Sequence, residues 1–284
     1  MAGTLGVIVK NRSTGMPMGD VTVKIKGPGN CTDEGKTNAS GIRMFDEVRE
    51  GPYTVTAEKG AFFIGIGNAT VTAGSISVTI QLEQVKYLYF AIYYWSDDNA
   101  FKRAAESWST TVQGGSGYNQ STDAVRTFEV KTEGQFKAAW EKLLQEGSKS
   151  GWKVAEGRIF SHASKGDSSD GLEFLGGGGD DGTISQKEMG ALARLNWSAT
   201  GKIILHGCNT GLYGGRGWTP ASAFAKTQGV PTTGQAGFAY FSKQWSTYDE
   251  TDATSTGIYL WAYRRRRNGW TGNGERIPGV VFRP

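Results

Sequence analysis

"GKIILHGCNTG", residues 201–211, decides how the second half of the chain is read. The apolar run Ile203-Ile204-Leu205 has the composition of a buried strand. It ends abruptly in His206-Gly207-Cys208-Asn209. The 284 residues hold only two cysteines and two histidines, and one of each falls here. The other histidine is delivered the same way, by the apolar run of "IFSHAS", residues 159–164. Two strands that each end on a reactive side chain pose a choice between a paired site and two ordinary core residues.

Outward from this stretch, strands alternate with helices. "KYLYFAIYYW" (86–95) reads as a long apolar strand. The segment after it has Phe101, Ala104, Ala105, Trp108 and Val112 at helical spacing, with Ser96 or Asp97 as the N-cap. "AVRTFEVK" (124–131) predicts a strand. "TEGQFKAAWEKLLQEG" (132–147) predicts a helix with its stripe at Phe136, Ala139, Trp140, Leu143 and Leu144. A strand over 152–164 leads into a hairpin, "LEFLGGGGDDGTIS", turning at Asp180-Asp181-Gly182. "QKEMGALARLNW" predicts a helix, "KIILHG" a strand, and "TPASAFAKTQG" a helix with Pro220 in its first turn. "GFAYFSK" and "TGIYLWAYRR" read as further strands. This order predicts an α/β domain over 86–284 with a mostly parallel sheet flanked by helices.

Residues 1–84 have a different period. "TLGVIVK", "VTVKIKG", "GIRMFDEV", "PYTVTAEKG" and "SISVTIQLE" alternate with period two and are separated by turn residues, which predicts an all-β sandwich. "GVIVKNRSTGMPMGDVTVKI" followed by "KTNASGIRMFDEVREGPYTVTAEKG" resembles the carboxypeptidase-regulatory, transthyretin-like β-sandwich. Gly41, Phe45, Gly51 and Tyr53-Thr54-Val55 fit that pattern. The resemblance implies an adaptor or binding module without chemistry of its own. Cys31, in the turn "GPGNCTDEG", reads as an exposed bystander.

Composition narrows the function classes. No apolar run reaches the roughly 18 residues of a membrane span. The start "MAGTLGVIVKNRSTG" lacks the basic, apolar and small-residue regions of a signal peptide, so the expected location is the cytoplasm of the producing cell. Two distant cysteines are not a disulfide framework and suit a reducing compartment. Residues 1–84 carry eight basic and eight acidic side chains, so the net charge of +4 belongs to the remainder and is too small to argue for nucleic acid.

In open parallel sheets the loops at the carboxyl ends of strands make the site. Neighbouring strands lie about 4.8 Å apart, so His162 and Cys208 can reach one substrate atom. A cysteine attacks as thiolate, and an imidazole both takes its proton and protonates the leaving group. Gly207 is expected to permit the turn that projects Cys208 outward.

A histidine at one strand end, a hairpin, a helix, then a cysteine at the next strand end resembles the caspase-like (clan CD) cysteine peptidases, over roughly residues 86–245. Caspases likewise carry the base about 50 residues upstream of the nucleophile. The resemblance implies Cys208 as nucleophile and His162 as general acid and base, with the backbone amides of Cys208 and Ala163 binding the oxyanion. The family has Gly after the histidine, where this chain has Ala163, and the caspase Gln-Ala-Cys sequence is absent. Asp249, Glu250 or Asp252 are expected to line a pocket for a basic side chain. No cofactor and no metal are expected.

Other readings compete. Cys208 and the histidines are also what a packed core would contain. His162, His206 and Cys208 would make a three-ligand zinc site with an open position. "RRRR" at 264–267 reads as a charged, aggregation-resistant strand end rather than a phosphate site. "DSSDG" and "GGGGDDG" lack calcium-loop spacing and read as turns. "GGGG" does not follow the phosphate-loop pattern.

By analogy of domain order, the chain resembles bacterial effectors loaded on a contact-dependent, type VI-like injection apparatus. The implied partners are a protein or peptide substrate, a spike or other secretion-apparatus protein bound by residues 1–84, and a cognate immunity or inhibitor protein. The alternative is a non-catalytic, spike-associated or surface adaptor whose α/β half is inactive.

Overall fold

Alternation along the first strand shows how the N-terminal unit is built. In β1 (Ala2–Asn11), Leu5, Val7 and Val9 face one way and are fully buried. The computed structural model describes residues 2–95, 99–163, 171–176, 181–212, 217–242, 259–263 and 279–284. The chain divides into two compact units, Met1–Val85 and Lys86–Pro284. Strand is the predominant regular structure.

The first unit continues with β2 (Thr22–Lys26), β3 (Thr32–Lys36), β4 (Ile42–Arg49), β5 (Gly51–Glu58), β6 (Gly65–Val71) and β7 (Ser75–Leu82). They form a three-stranded sheet, order β4-β1-β7, and a four-stranded sheet, order β3-β2-β5-β6. The β1–β7 pair is parallel and the rest are antiparallel. Leu5, Val7, Val9, Val23, Phe45, Tyr53 and Val55 fill the core between them.

Two strands break the expected pattern. β3 occupies part of the stretch read as a turn around Cys31, and nearly all its side chains are exposed. β6 turns small residues inward: Gly65, Gly67, Ala69 and Val71 alternate with the exposed Ile66, Asn68 and Thr70. A Cβ at Gly65 would come 2.4 Å from Ile80 Cγ2, so the neighbouring strand leaves room only for glycine. Cys31 is not the exposed residue expected. It ends a 3-10 turn, Pro28–Asn30, is half-buried, and packs on the sandwich core.

The second unit runs β8 (Lys86–Tyr94), α1 (Ala100–Gly114), β9 (Ala124–Val130), α2 (Glu133–Gly147), β10 (Trp152–Phe160), β11 (His162–Ala163), β12 (Gly171–Glu173), β13 (Thr183–Ser185), α3 (Gln186–Ala191) and β14 (Trp197–His206). α4 (Pro220–Gln228), β15 (Thr232–Gly234), β16 (Phe238–Ser242), β17 (Tyr259–Tyr263) and β18 (Val280–Phe282) follow. Six strands make one sheet, order β18-β15-β14-β10-β8-β9, parallel except for β15–β18.

β8 lies inside this sheet and is covered on both sides, which explains its near-continuous apolar run. Leu88, Phe90 and Ile92 join Phe136, Trp140 and Leu143 of α2 and Phe224 of α4 in one cluster. Ala91 and Tyr93 join Phe101, Ala104 and Trp108 of α1 in another.

Several boundaries differ from expectation. α1 has Asn99 at its N-cap position, while Ser96 and Asp97 lie outside the described residues. α3 stops at Ala191 rather than reaching Trp197. There the Gln228 side chain accepts from Leu195 N and Trp197 Nε1, which holds the chain extended as it enters β14. β16 and β17 pair with each other, antiparallel, rather than joining the large sheet. Among the described residues no helix is long and apolar enough to cross a membrane.

Candidate active site

β10 and β14 are parallel neighbours, with Phe160 opposite His206. Their carboxyl ends therefore deliver Ser161-His162-Ala163 and Gly207-Cys208 side by side. The approach at Gly207 is close. An added Cβ there would come 2.9 Å from the Ser161 carbonyl oxygen and 3.3 Å from Ala163 Cβ. A side chain at 207 would push the two segments apart. Gly207 has no positive φ; the left-handed residue of this turn is Asn209, at φ 57°. The glycine is needed for contact, not for its dihedral angles.

Beyond the sulfur the chain is tied to the connection between β15 and β16. Asn209 N donates to Gly237 O at 2.7 Å, and Gly211 N to Gln235 O at 2.8 Å. Gln235 N donates to Thr210 Oγ1 at 2.9 Å, while the Thr210 carbonyl accepts from Ala221 N at 3.0 Å. Thr210 is fully buried. At Gly211 an added Cβ would come 2.7 Å from Gly234 backbone, so the two chains cross in direct contact.

Cys208 is half-buried, and Ala239 N donates to its Sγ at 3.4 Å. Burial pushes the thiol up. The Ala239 amide pulls the other way, the charge of Glu173 adds to the rise, and the residue's own amide opposes it, leaving the thiol raised. At neutral pH the sulfur is therefore protonated, and attack on a carbonyl requires a base.

His162 is exposed on β11. Its ring meets Tyr94 at 5.6 Å and Phe101 at 5.0 Å, edge-on to both. These rings confine the imidazole without consuming a nitrogen. Across the small sheet β11-β12-β13 its backbone partner is Glu173. Directly opposed residues of an antiparallel pair project on the same face. Ala163 is buried and pairs with Leu172. The two amides expected to bind an oxyanion, of Cys208 and Ala163, thus sit on segments in contact. Glu173 was not among the residues singled out from sequence, because only the hairpin register sets it opposite His162.

His206 belongs to a different neighbourhood. It is buried, stacks on Phe160 at 4.4 Å, and its Nε2 lies 3.4 Å from Arg158 Nη1. Burial, and then the Arg158 charge, hold its pKa well below the ordinary imidazole value. Glu156 accepts from Arg158 Nε at 2.7 Å and from Trp108 Nε1 at 3.0 Å, and pairs with Lys202 Nζ at 3.1 Å. Burial opposes the ionisation of Glu156, yet Arg158 and Lys202 outweigh it and hold the carboxyl below its usual range. A histidine nitrogen that faces a guanidinium is poorly placed to share a zinc ion with His162 and Cys208. Among the described residues no cluster of three or more His, Cys, Asp or Glu side chains is arranged to hold a metal. Asp249, Glu250, Asp252 and Arg264 to Arg267 lie outside the described residues.

No family model matches the sequence, and no curated protein does. Solved structures are similar to parts of it. The Bacillus anthracis TIE protein matches at 17% identity over 32% of this chain and 19% of that one, with a TM-score of 0.28. The major pilin SpaD of Corynebacterium diphtheriae matches at 18% identity over 30% of each chain, with a TM-score of 0.27. Klebsiella pneumoniae 5-hydroxyisourate hydrolase matches at 22% identity over 29% of this chain and 90% of that one, with a TM-score of 0.26. The chain spans less than a third of the first two proteins. At these TM-scores the likenesses carry no argument about what this chain does.

Proposed function

We propose that the second unit is a caspase-like cysteine peptidase that hydrolyses peptide bonds with Cys208 and His162. The observation that carries this reading is the contact of Gly207 with Ser161 and Ala163, which sets the cysteine and the histidine on touching strand ends. The arrangement is exposed on the histidine side and half-buried on the sulfur side.

The raised thiol shapes the mechanism. Cys208 is a neutral thiol until substrate arrives. His162 takes the Sγ proton as sulfur bonds to the carbonyl carbon, and the carbonyl π pair moves to oxygen. The amides of Cys208 and Ala163 stabilise that oxyanion. As the tetrahedral species collapses, the C–N bond breaks and the imidazolium gives its proton to the leaving amine. A water, deprotonated by His162, then adds to the thioester carbon; the C–S bond breaks, the acid product leaves, and the imidazolium returns its proton to Sγ. Asp249, Glu250 or Asp252 would select a basic side chain. Residues 1–84 would dock to a spike protein, with an immunity protein in the producing cell.

A thiol-reactive peptide probe tests the reading, with labelling assigned to Cys208 by peptide mass. Wild type labels, Cys208→Ala does not, and His162→Ala labels at least tenfold more slowly, in line with the roughly 10²–10⁴-fold worth of a positioned acid–base group. Equal rates for wild type and His162→Ala would leave the non-catalytic adaptor as the better description.

A further inference from the structure

We infer that Glu173 is a positioning residue for His162, holding the imidazole toward Cys208 and countering the positive charge it takes from the thiol. The inference rests on the Cys208–His162 reading and adds a third group to it.

Three observations converge. First, Glu173 ends β12 directly opposite His162 on β11, so both side chains leave the same face of the hairpin sheet. The register is fixed from both ends: Gly171 pairs with Ser185 and Glu173 with Thr183 on β13. At Gly171 an added Cβ would come 2.0 Å from the Ile184 carbonyl oxygen, so β12 is held tightly against β13. Glu173 therefore stands on an anchored strand, not on a free loop. Second, the next residue, Phe174, packs on Tyr94 at 6.0 Å, and Tyr94 in turn packs on the His162 ring. Phe174 thus seats the end of β12 against the tyrosine that also meets the imidazole. Third, the Glu173 charge acts on the Cys208 thiol, which places that carboxylate in the electrostatic reach of the sulfur as well.

The chemistry follows from the charges. An anion near a thiol opposes its ionisation, so Glu173 is no help to a cysteine that must ionise alone. It helps a cysteine whose proton moves to an adjacent imidazole. A carboxylate beside the ring orients the tautomer with the free nitrogen toward sulfur and stabilises the imidazolium that forms. The same residue thus adds to the rise that burial gives the resting thiol, and favours proton transfer to His162 in the reaction. Tyr94 and Phe101 confine the ring by its edges but carry no charge to meet it.

The experiment uses the full chain and compares wild type, Glu173→Gln, Glu173→Asp and His162→Ala. Thermal melts verify folding. Alkylation of Cys208 by iodoacetamide is followed by peptide mass from pH 6 to 10, which separates it from Cys31. Hydrolysis of an unfolded protein substrate is followed by the appearance of new amino termini. In Glu173→Gln the alkylation profile moves to lower pH, because the repulsion is gone. Turnover falls about ten- to a hundredfold, with KM little changed, and Glu173→Asp restores part of it. Opposite signs for thiol ionisation and turnover are not produced by mere loss of structure. If Glu173→Gln leaves both the alkylation profile and turnover at wild-type values while His162→Ala slows both, the dyad stands and the role of Glu173 is lost. If His162→Ala changes neither, the dyad itself fails.

Discussion

The two units each hold one cysteine, and their settings differ in kind. Cys31 closes a 3-10 turn and packs against the apolar filling of a sandwich. Cys208 leaves a central parallel strand at a point where two backbones touch, with an amide directed at its sulfur and a histidine on the neighbouring strand end. In the sandwich both sheets turn their ordered faces to each other, and a side chain at a turn meets hydrocarbon. In the larger sheet the five parallel strands all end on one side, so their ends converge on shared space. The contrast teaches that the topology of the sheet, more than the residue type, decides whether a thiol has chemistry available to it.

The largest effect expected breaks this comparison outright if it fails. Cys208→Ala lowers hydrolysis at least about a thousandfold, whereas Cys31→Ser leaves it unchanged. The measurement is turnover at matched protein concentration, and equal losses in the two variants would erase the distinction between the units.

Next comes the strand-end contact. Gly207→Val destabilises the second unit by about 1–3 kcal/mol through overpacking against the Ser161 carbonyl, and slows labelling of Cys208. Gly60 of the first unit has nothing within 4 Å of an added Cβ, so Gly60→Ala is close to neutral. All nine tryptophans lie in 86–284, so their fluorescence in urea reports the unfolding of this unit alone.

A third prediction concerns acid. His206 is held neutral in the fold, with a pKa below its unfolded value of 6.5. Its contribution to stability is therefore complete above pH 6.5 and is lost as pH falls below it. Between pH 6.5 and 5 the loss reaches about 2 kcal/mol at most. Urea melts at pH 7.5, 6 and 5 give the slope, and His206→Gln flattens it in this window. An unaltered slope in the variant would assign acid sensitivity to other groups.

The smallest effect sharpens the helix side. Thr132 accepts from Gln135 N at the start of α2, and Thr132→Ala costs about 1 kcal/mol of stability. The cap lies on the same edge of the sheet as Cys208, where Thr132 bridges Leu175 just beyond β12, so any slowing of Cys208 labelling is smaller than in Gly207→Val.

Much of this architecture is legible from residues alone. The stripe Phe136, Ala139, Trp140, Leu143 and Leu144 names a helix face: the first four are buried and Leu144 packs half-buried on the same core. The alternation of Leu5, Val7 and Val9 names a strand in the same way. β6 escapes such reading because its inward side chains are the small ones, while its large apolar residue Ile66 is exposed. The inward positions carry no large side chain until Val71, since packing against Ile80 admits none at Gly65. β3 escapes because an edge strand exposed on both faces needs only backbone partners. α3 is overestimated because the side chain of Gln228, distant in sequence, takes over the hydrogen bonds at Leu195 and Trp197.

The candidate site divides along the same line. Cys208 and His162 are visible as strand-terminal residues. The roles of Gly207 and Glu173 depend on which backbones meet and in what register, which no local pattern records. His206 illustrates the converse. Two positions from the cysteine, it looks like a partner, yet Phe160 and Arg158 claim it for the packed side of the sheet.

The crossing of Gly211 and Gly234 has a mechanical consequence. Two peptide chains touch there with no side chain to act as a cushion. The loop carrying Cys208 and the strand carrying Ala239, whose amide meets the sulfur, therefore transmit force to one another. That amide, 3.4 Å from the sulfur, is one of the groups that oppose the rise burial gives the thiol. The N–H···S contact thus ties the thiol to the β16–β17 ribbon, which lies outside the large sheet.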